Sequence, residues 1–208
     1  DLLFVLSENL KSESYPESVK VKFLNLISLI GPKEMSFEKL ARVSEINNRF
    51  QKNIFLITTG VFQHDPIKSL ELVPGVLKQM TQPLYFLDFL KTNLETSTDP
   101  NIQILSLDCL LILVAKHSYE FDQYYTFLYD LLASELRQSP RSQPVTVFNC
   151  DATNKLIKIV EISLRSNKLN KSYMVSFIKL LLRLSLQSDE RLLIWISFLV
   201  FNIFKKFA

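Results

Sequence analysis

Four side chains in the chain are of the types that most often act as catalytic bases, thiol nucleophiles or soft metal ligands. They are His64, His117, Cys109 and Cys150. A nucleophile needs a base beside it, and a structural zinc site needs about four ligands at short spacings. These residues are scattered singly, so the sequence predicts no catalytic, metal or cofactor site. His64 lies in a Gln-His-Asp-Pro stretch that predicts a turn, and His117 ends a predicted helix, where an imidazolium favours the helix dipole.

Acid–base and phosphate chemistry also lack their usual patterns. Neighbouring carboxylates occur at Asp189 and Glu190, in a predicted turn, and at Glu120 and Asp122, in a predicted first helical turn, where they act with the helix dipole. The chain has three Gly, and no GxGxxG, GxxxxGKS or GxxxxGKT pattern occurs. We therefore predict that the protein is not an enzyme. A pocket holding perturbed ionisable groups would revive the enzyme hypothesis.

Basic residues are concentrated in the last third of the chain. Residues 151–208 hold ten Lys and Arg against four Asp and Glu. This balance predicts either contact with phosphates or a solvated basic face. No pattern of interleaved aromatic and basic residues, typical of single-strand binding, accompanies it. The candidate partner-facing or RNA-facing residues are Lys155, Lys158, Arg165, Lys179, Arg183, Lys205 and Lys206.

The elements that position these residues are predicted to be helices throughout. Hydrophobic residues make up 48% of the chain, and they recur at intervals of three and four nearly everywhere. Asp-Pro pairs at 65–66 and 99–100 each predict an N-cap followed by Pro at the first helical position. The predicted helices span residues 2–11, 17–30, 36–59, 66–80, 83–96, 100–117, 120–137, 151–166, 171–187 and 190–206.

Two of these helices are predicted to be covered on most of their circumference. Residues 102–115 are almost entirely apolar, and residues 172–187 have one narrow polar stripe that includes Lys179 and Arg183. Helices packed on several sides and joined by short connections predict an all-α fold, in the form of an irregular α-solenoid or HEAT-like layered helical array. The polar segment 137–146, with two prolines, predicts an exposed loop within that array.

The last apolar run covers residues 192–204. It is thirteen residues long, whereas a membrane-spanning helix needs about 20, so it predicts a buried core helix. Trp195, Phe198 and Phe201 lie on different faces of this helix and need more cover than the fragment offers. The chain begins with Asp rather than Met, so we expect a piece of a longer polypeptide. Two isolated cysteines indicate a reducing compartment, cytosol or nucleus.

Five segments of the chain resemble, in order and spacing, a known family. The first segment, 84–90, contains Asp-Phe-Leu, and the second, 105–113, is apolar. The third, 116–132, begins with Lys-His and is rich in Tyr. The fourth, 176–184, begins with Ser-Phe-Ile-Lys, and the fifth, 196–206, is largely apolar. This series is similar to the CCAAT-binding-factor-type domain of the nucleolar complex protein 4 family. Asp108 and Cys109 stand where that family usually has Asn and Gly, which indicates a divergent member.

The resemblance implies a division of the chain and a function. Residues 1–80 are expected to form an N-terminal helical region, and residues 81–208 a CCAAT-binding-factor-type domain truncated at its C-terminus, within one continuous array. The family implies a nucleolar, non-catalytic scaffold of small-subunit ribosome assembly that pairs with a nucleolar protein 14-type subunit of the small-subunit processome, with pre-rRNA contact as an additional hypothesis. A large-subunit factor of the same group, an adaptor of the nuclear-transport type and a module that binds RNA directly stay open as alternatives.

Overall fold

All regular secondary structure in the described residues is helical. The structure is a computed structural model that describes residues 2–12, 14–30, 43–81, 83–119, 121, 123–138, 151–166, 169–186 and 190–207. Within these residues there are ten helices: α1 (Leu2–Leu10), α2 (Glu17–Leu29), α3 (Val43–His64), α4 (Pro66–Gln79), α5 (Tyr85–Thr96), α6 (Pro100–Lys116), α7 (Tyr124–Gln138), α8 (Asp151–Arg165), α9 (Lys171–Ser185) and α10 (Glu190–Phe207). The predicted all-α class is confirmed, whereas the solenoid stays a prediction.

Both predicted Asp-Pro helix starts are present. The Asp65 carboxylate accepts a hydrogen bond from the backbone N–H of Lys68 at 3.1 Å, and Pro66 is the first residue of α4. The Asp99 carboxylate accepts from the N–H of Asn101 at 2.9 Å, and Pro100 begins α6. In each case a side-chain oxygen satisfies a backbone donor that the first helical turn leaves without a partner.

The turn predicted at His64 is wrong, because α3 continues through Gly60 to end at His64. Asp65 alone connects α3 to α4, and its backbone N–H donates to the carbonyl of Val61 at 2.9 Å while its side chain caps α4. A helix interior tolerates a single glycine at a cost of about 1 kcal/mol, and Ile57 and Val61 on either side of Gly60 are buried in the core. Residues 36–42 of the predicted helix lie outside the described residues.

Other predicted boundaries differ by a few residues. Helix α7 begins at Tyr124 rather than at residue 120 and extends to Gln138, two residues into the predicted loop. The remainder of that loop, from residue 139, lies outside the described part of the chain. So do Glu120, Asp122, Asp189 and Cys150.

The chain divides into two compact units, Asp1–Glu120 and Phe121–Ala208. In the first unit α1, α3 and α5 pack in sequence on one another, and α2, α4 and α6 form a second layer against them. The division predicted at residue 81 and the single continuous array remain predictions. Helix α6 is covered on most of its circumference, as the sequence predicted, since four successive residues, 104–107, are all buried.

Helices α2 and α4 approach closely in the first unit. A β-carbon built on Gly75 in α4 would lie 2.5 Å from the β-carbon of Ser28 in α2. Pro74 precedes that glycine inside the helix. A proline has no N–H to donate to the carbonyl four residues earlier, which here belongs to Leu70. The thiol of Cys109 in α6 lies 3.8 Å from that carbonyl oxygen and donates to it.

The second unit is built from α7 to α10. Helix α9 packs against α7 and α10, and α8 packs against α10. Tyr124 is fully buried, and its hydroxyl lies 2.9 Å from the Ser163 hydroxyl, joining α7 to α8 by a hydrogen bond inside the apolar core. A buried polar pair of this kind is stable because each oxygen has a partner.

Two expectations about burial in the second unit are wrong. Val175 and Leu182 of α9 are 50% and 48% exposed, so that helix is covered on only part of its circumference. Helix α10 was predicted to be a buried core helix, yet one of its faces is open to solvent. Its length and composition do not make it a membrane span, since no helix in the described part of the chain is long and apolar enough to cross a membrane.

Candidate interaction surface

The open face of α10 carries five large apolar side chains. Their exposed fractions run from 43% at the least exposed to 66% at the most, and they are Leu193, Ile194, Phe198, Phe201 and Phe204. Solvent-exposed large apolar residues are ordinary when single, but a contiguous group on one helix face marks an interaction site. The outward face of α10 is therefore a candidate interaction surface.

The spacing of these residues follows from the helical repeat. Ile194 to Phe198 is an interval of four and Phe198 to Phe201 an interval of three, so the three side chains lie along one line on a helix of 3.6 residues per turn. We call the line that runs from Arg191 through these three residues to Lys205 the α10 seam. Both of its end residues are basic and exposed.

The opposite face of α10 attaches the helix to the rest of the second unit. Leu192, Ile196, Leu199 and Ile203 are each no more than 4% exposed. They recur at the same helical intervals as the seam but half a turn away. Helix α10 therefore has two apolar faces. One packs against the rest of the second unit, and the other is exposed to solvent.

Lys179 and Arg183 lie one turn apart on a single exposed face of α9. Ser172 and Ser176 continue that face toward the start of the helix, where the Asn170 side chain accepts from the N–H of Ser172 at 3.2 Å and caps the helix. The predicted polar stripe is exposed along its described length. Exposed Leu182 borders it, so basic and apolar groups share this part of the surface.

The other candidate residues are distributed over α8 and α10. Lys158 is exposed and Lys155 is half-buried on α8. The guanidinium of Arg165 forms an ion pair with the Glu161 carboxylate at 2.6 Å, so part of its hydrogen-bonding capacity is used within the helix. Lys205 is exposed at the end of the α10 seam. The side chain of Lys206 lies outside what the structure describes.

The histidines occupy structural positions. Nε2 of His117 lies 3.1 Å from the carbonyl oxygen of Leu77, so this nitrogen donates to the last turn of α4, and the His117 backbone caps the end of α6. Nε2 of His64 lies 3.7 Å from a carboxylate oxygen of Glu17. Among the described residues, no group of three or more His, Cys, Asp or Glu could hold a metal ion.

A small cavity in the second unit is lined only by apolar side chains. Its volume is about 30 Å³, and its walls come from α7, α8, α9 and α10, with Leu156, Leu181, Leu192 and Trp195 among them. Small-molecule sites usually enclose about 300–1,000 Å³ and place a few polar groups toward the ligand. The cavity is therefore a packing gap in the core, and Trp195 is half-buried beside it.

The sequence predicted the basic residues as partner-facing, which stays a prediction, but it placed Leu193, Ile194 and Phe204 in a buried core. It also predicted that Phe198 and Phe201 need further cover; they do not lie on different faces, as expected, because an interval of three residues places both on the open face of α10. The signal for the seam was the interval pattern from Arg191 to Lys205, which is basic at both ends.

The fold and these surfaces define an all-helical protein that offers apolar and basic faces to macromolecules. The model of the CBF/Mak21 family matches residues 103–208, about half of the chain, and the chain belongs to that family. The matched region contains the whole second unit, including α8, α9 and α10.

The curated relatives carry one common name. The chain is 23% identical over 169 residues to nucleolar complex protein 4 of Saccharomyces cerevisiae, which covers 78% of this chain and 29% of the yeast protein. It is 25% identical over 132 residues to the nucleolar complex protein 4 homologs of Homo sapiens and Mus musculus, which covers 64% of this chain and 23% of each relative. The chain thus spans less than a third of the length of these relatives. The resemblance noted in the sequence is confirmed. No solved structure matches the chain.

Proposed function

We propose that this chain is part of a non-catalytic helical scaffold in nucleolar ribosome biogenesis. Its work is protein–protein contact during assembly of the small ribosomal subunit, and its location is the nucleolus within the nucleus. The observation that carries the proposal is that the family match, with relatives named nucleolar complex protein 4, falls on the unit that exposes the α10 seam and the basic stripe of α9.

The finer parts of the proposal follow from the family resemblance. The partner is a nucleolar protein 14-type subunit of the small-subunit processome, and the scaffold supports pre-rRNA processing without chemistry of its own. The surface supports this proposal, because exposed apolar groups beside basic groups are typical of an interface and not of a catalytic centre.

Co-purification tests this function directly. The tagged chain is expressed in cells of its source organism and purified from nuclear extract. It is expected to recover precursor rRNA of the small subunit together with pre-ribosomal proteins. Recovery of large-subunit precursors instead would assign the protein to the large-subunit branch of the group. Recovery of a nuclear-transport GTPase and cargo, without precursor rRNA, would favour a transport adaptor and overturn the scaffold.

A second candidate activity is direct RNA contact by exposed basic groups. Lys158, Lys179, Arg183 and Lys205 are all exposed on the second unit, where Lys and Arg outnumber Asp and Glu. Lysine and arginine neutralise phosphates without reading sequence, so this contact would hold precursor rRNA on the scaffold. Crosslinking of charge-reversed variants, described in the Discussion, tests it.

A further inference from the structure

We infer that the α10 seam is the docking site for an acidic amphipathic helix of a partner protein. The inference rests on the proposed function only in taking protein binding to be the work of the second unit. Phe198 and Phe201, at the centre of the seam, are 66% and 65% exposed. Burying two such rings against a partner stabilises a complex strongly, because central aromatic residues contribute most of the binding free energy at interfaces.

The spacing of the seam specifies the shape of its occupant. Successive intervals of three, four, three and four residues, from Arg191 to Lys205, are those of a coiled-coil contact line. A second helix with apolar residues at the same intervals is complementary to such a line. Fourteen residues of α-helix extend about 21 Å, so the seam accepts about four turns of a partner helix.

The charges at the two ends of the seam specify the chemistry of the occupant. Arg191 and Lys205 are both exposed and both positive. A partner helix with carboxylates at each end of its apolar stripe would pair with both. Glu190 is also exposed and precedes Ile194 by four residues, so it flanks the first end of the seam beside Arg191. The positive charge without an adjacent carboxylate in the seam's own helix is therefore that of Lys205. The excess of basic residues over 151–208 adds a long-range attraction for an acidic segment.

The same charges disfavour a second copy of this chain as the occupant. In a parallel pair of α10 helices, Arg191 would face Arg191 and Lys205 would face Lys205. In an antiparallel pair, Lys205 would lie near both Glu190 and Arg191, so the charges at the ends would offset one another. Either arrangement would also bring together two copies of the basic segment 151–208, with ten Lys and Arg against four Asp and Glu in each, and this like-charge contact is unfavourable. A partner of opposite charge is therefore favoured over self-association.

A designed peptide pair tests the inference on the 208-residue chain. The probe is a fluorescent helix of about 18 residues, five turns, with Leu at the seam intervals and Glu at both ends of the stripe. Its control has Lys in place of Glu. The chain should bind the Glu peptide measurably more tightly than the Lys peptide, as read by fluorescence anisotropy.

Variants locate the binding site on the chain. The double change Phe198→Glu and Phe201→Glu should weaken binding of the Glu peptide at least about 100-fold, because each ring counts as an interface hot spot. The double change Arg191→Glu and Lys205→Glu should invert the preference, so that the Lys peptide binds better. Ile162→Glu on α8 is the matched control, since Ile162 is also exposed, at 54%, and should leave binding unchanged.

Circular dichroism checks that each variant keeps its helical content. We expect no loss, because the substituted side chains are all exposed. Equal binding of the two peptides, or binding that the seam variants leave unchanged, would overturn the inference. A dimer in sedimentation velocity that Phe198→Glu and Phe201→Glu abolishes would assign the seam to a second copy and also overturn it.

Co-purification separates this inference from the proposed function. If the wild-type chain recovers small-subunit precursors and the double Phe variant recovers them equally, the seam is not the docking site although the function stands. If the wild type recovers none, the proposed function fails, and the peptide measurements alone decide on the seam.

Discussion

The thiol of Cys109 in α6 donates to the carbonyl oxygen of Leu70 in α4, at a distance of 3.8 Å. This oxygen is available because Pro74, four residues later, has no N–H to complete the helical hydrogen bond. The sulfur and the proline thus form a matched pair on two packed helices. Cysteine acts here as a buried hydrogen-bond donor and as a small apolar group.

We expect Cys109→Ala to destabilise the first unit by about 1–2 kcal/mol, from the lost hydrogen bond and the small cavity. In a Pro74→Ala background the backbone N–H at residue 74 can donate to Leu70, so the cost of Cys109→Ala should fall by about 0.5–1 kcal/mol. Urea unfolding of the wild type, the two single variants and the double variant measures this coupling energy. Ser106→Ala is the control, because the hydroxyl of Ser106 is buried in the same helix and has no hydrogen-bond partner among the described residues. If Cys109→Ala and Pro74→Ala show the same coupling energy as Ser106→Ala and Pro74→Ala, the pairing of the thiol with Pro74 is contradicted.

Gly75 and Gly60 offer a matched pair of substitutions. Gly75→Ala should destabilise the protein by about 1–3 kcal/mol, because its β-carbon would overlap Ser28 at 2.5 Å. Gly60→Ala should stabilise it by up to about 1 kcal/mol through helix propensity, because an added β-carbon would have an ordinary contact with Nζ of Lys20 at 3.9 Å and no overlap. Thermal unfolding of the two variants compares the signs. Similar effects from both substitutions would show that α2 and α4 can separate without cost.

The stability of the first unit should depend on pH through Glu8. The ammonium of Lys11 and then the side-chain amide of Asn53 donate to the Glu8 carboxylate, and they hold its pKa below the ordinary value of a glutamate. The folded-state pKa is lower than the unfolded one, so the contribution is complete above the unfolded pKa, which is about 4.3. It is lost as the pH falls through the folded-state pKa.

Glu8→Gln should therefore reduce the free energy of unfolding near neutral pH and have little effect in strong acid. Unfolding by urea at a series of pH values measures the difference between the variant and the wild type. Lys11→Met should reproduce part of the change, since Lys11 is the largest cause of the shift. A wild-type minus variant difference that stays constant from neutral pH into strong acid would contradict this assignment.

Charge reversal tests direct RNA contact. Replacement of Lys158, Lys179 and Arg183 by Glu should abolish crosslinks to precursor rRNA and reduce the salt dependence of RNA binding, because each phosphate contact contributes to that slope. Extending the change to Lys155 should add to the loss. The control changes three exposed lysines of the first unit, with the same change in net charge: Lys22, Lys52 and Lys68. Equal crosslinking of both variants would remove the RNA hypothesis for the second unit.

The sequence predicted the helices well, because their signals are local. Apolar intervals and the Asp65-Pro66 and Asp99-Pro100 caps depend on residues within one or two turns. The error at His64 arose because the Gln-His-Asp-Pro stretch was taken to predict a turn, whereas only Asp65 in it is non-helical. Ile57 and Val61, on either side of Gly60, are buried, and their packing outweighs the roughly 1 kcal/mol that a glycine costs inside a helix; this packing comes from other helices and has no local signal.

Exposure was harder to predict than helicity. An apolar residue such as Leu182 or Phe198 looks the same in a sequence whether it faces the core of its own chain or the surface of another protein. The prediction of burial for α9 and α10 assumed one use for apolar residues, and the structure assigns part of each helix to solvent. Basic residues such as Lys179 were easier to place, because a charged group is rarely buried without a partner.

The junction at Asp65 makes the number of residues there as important as their identity. One residue both ends α3 and caps α4, so an inserted residue would separate these two roles and shift the start of α4 away from the end of α3. Val73 and Leu77, which now face the interior, would then have to be accommodated again in the core. Length changes at this point in evolution should therefore be far rarer than amino-acid replacements.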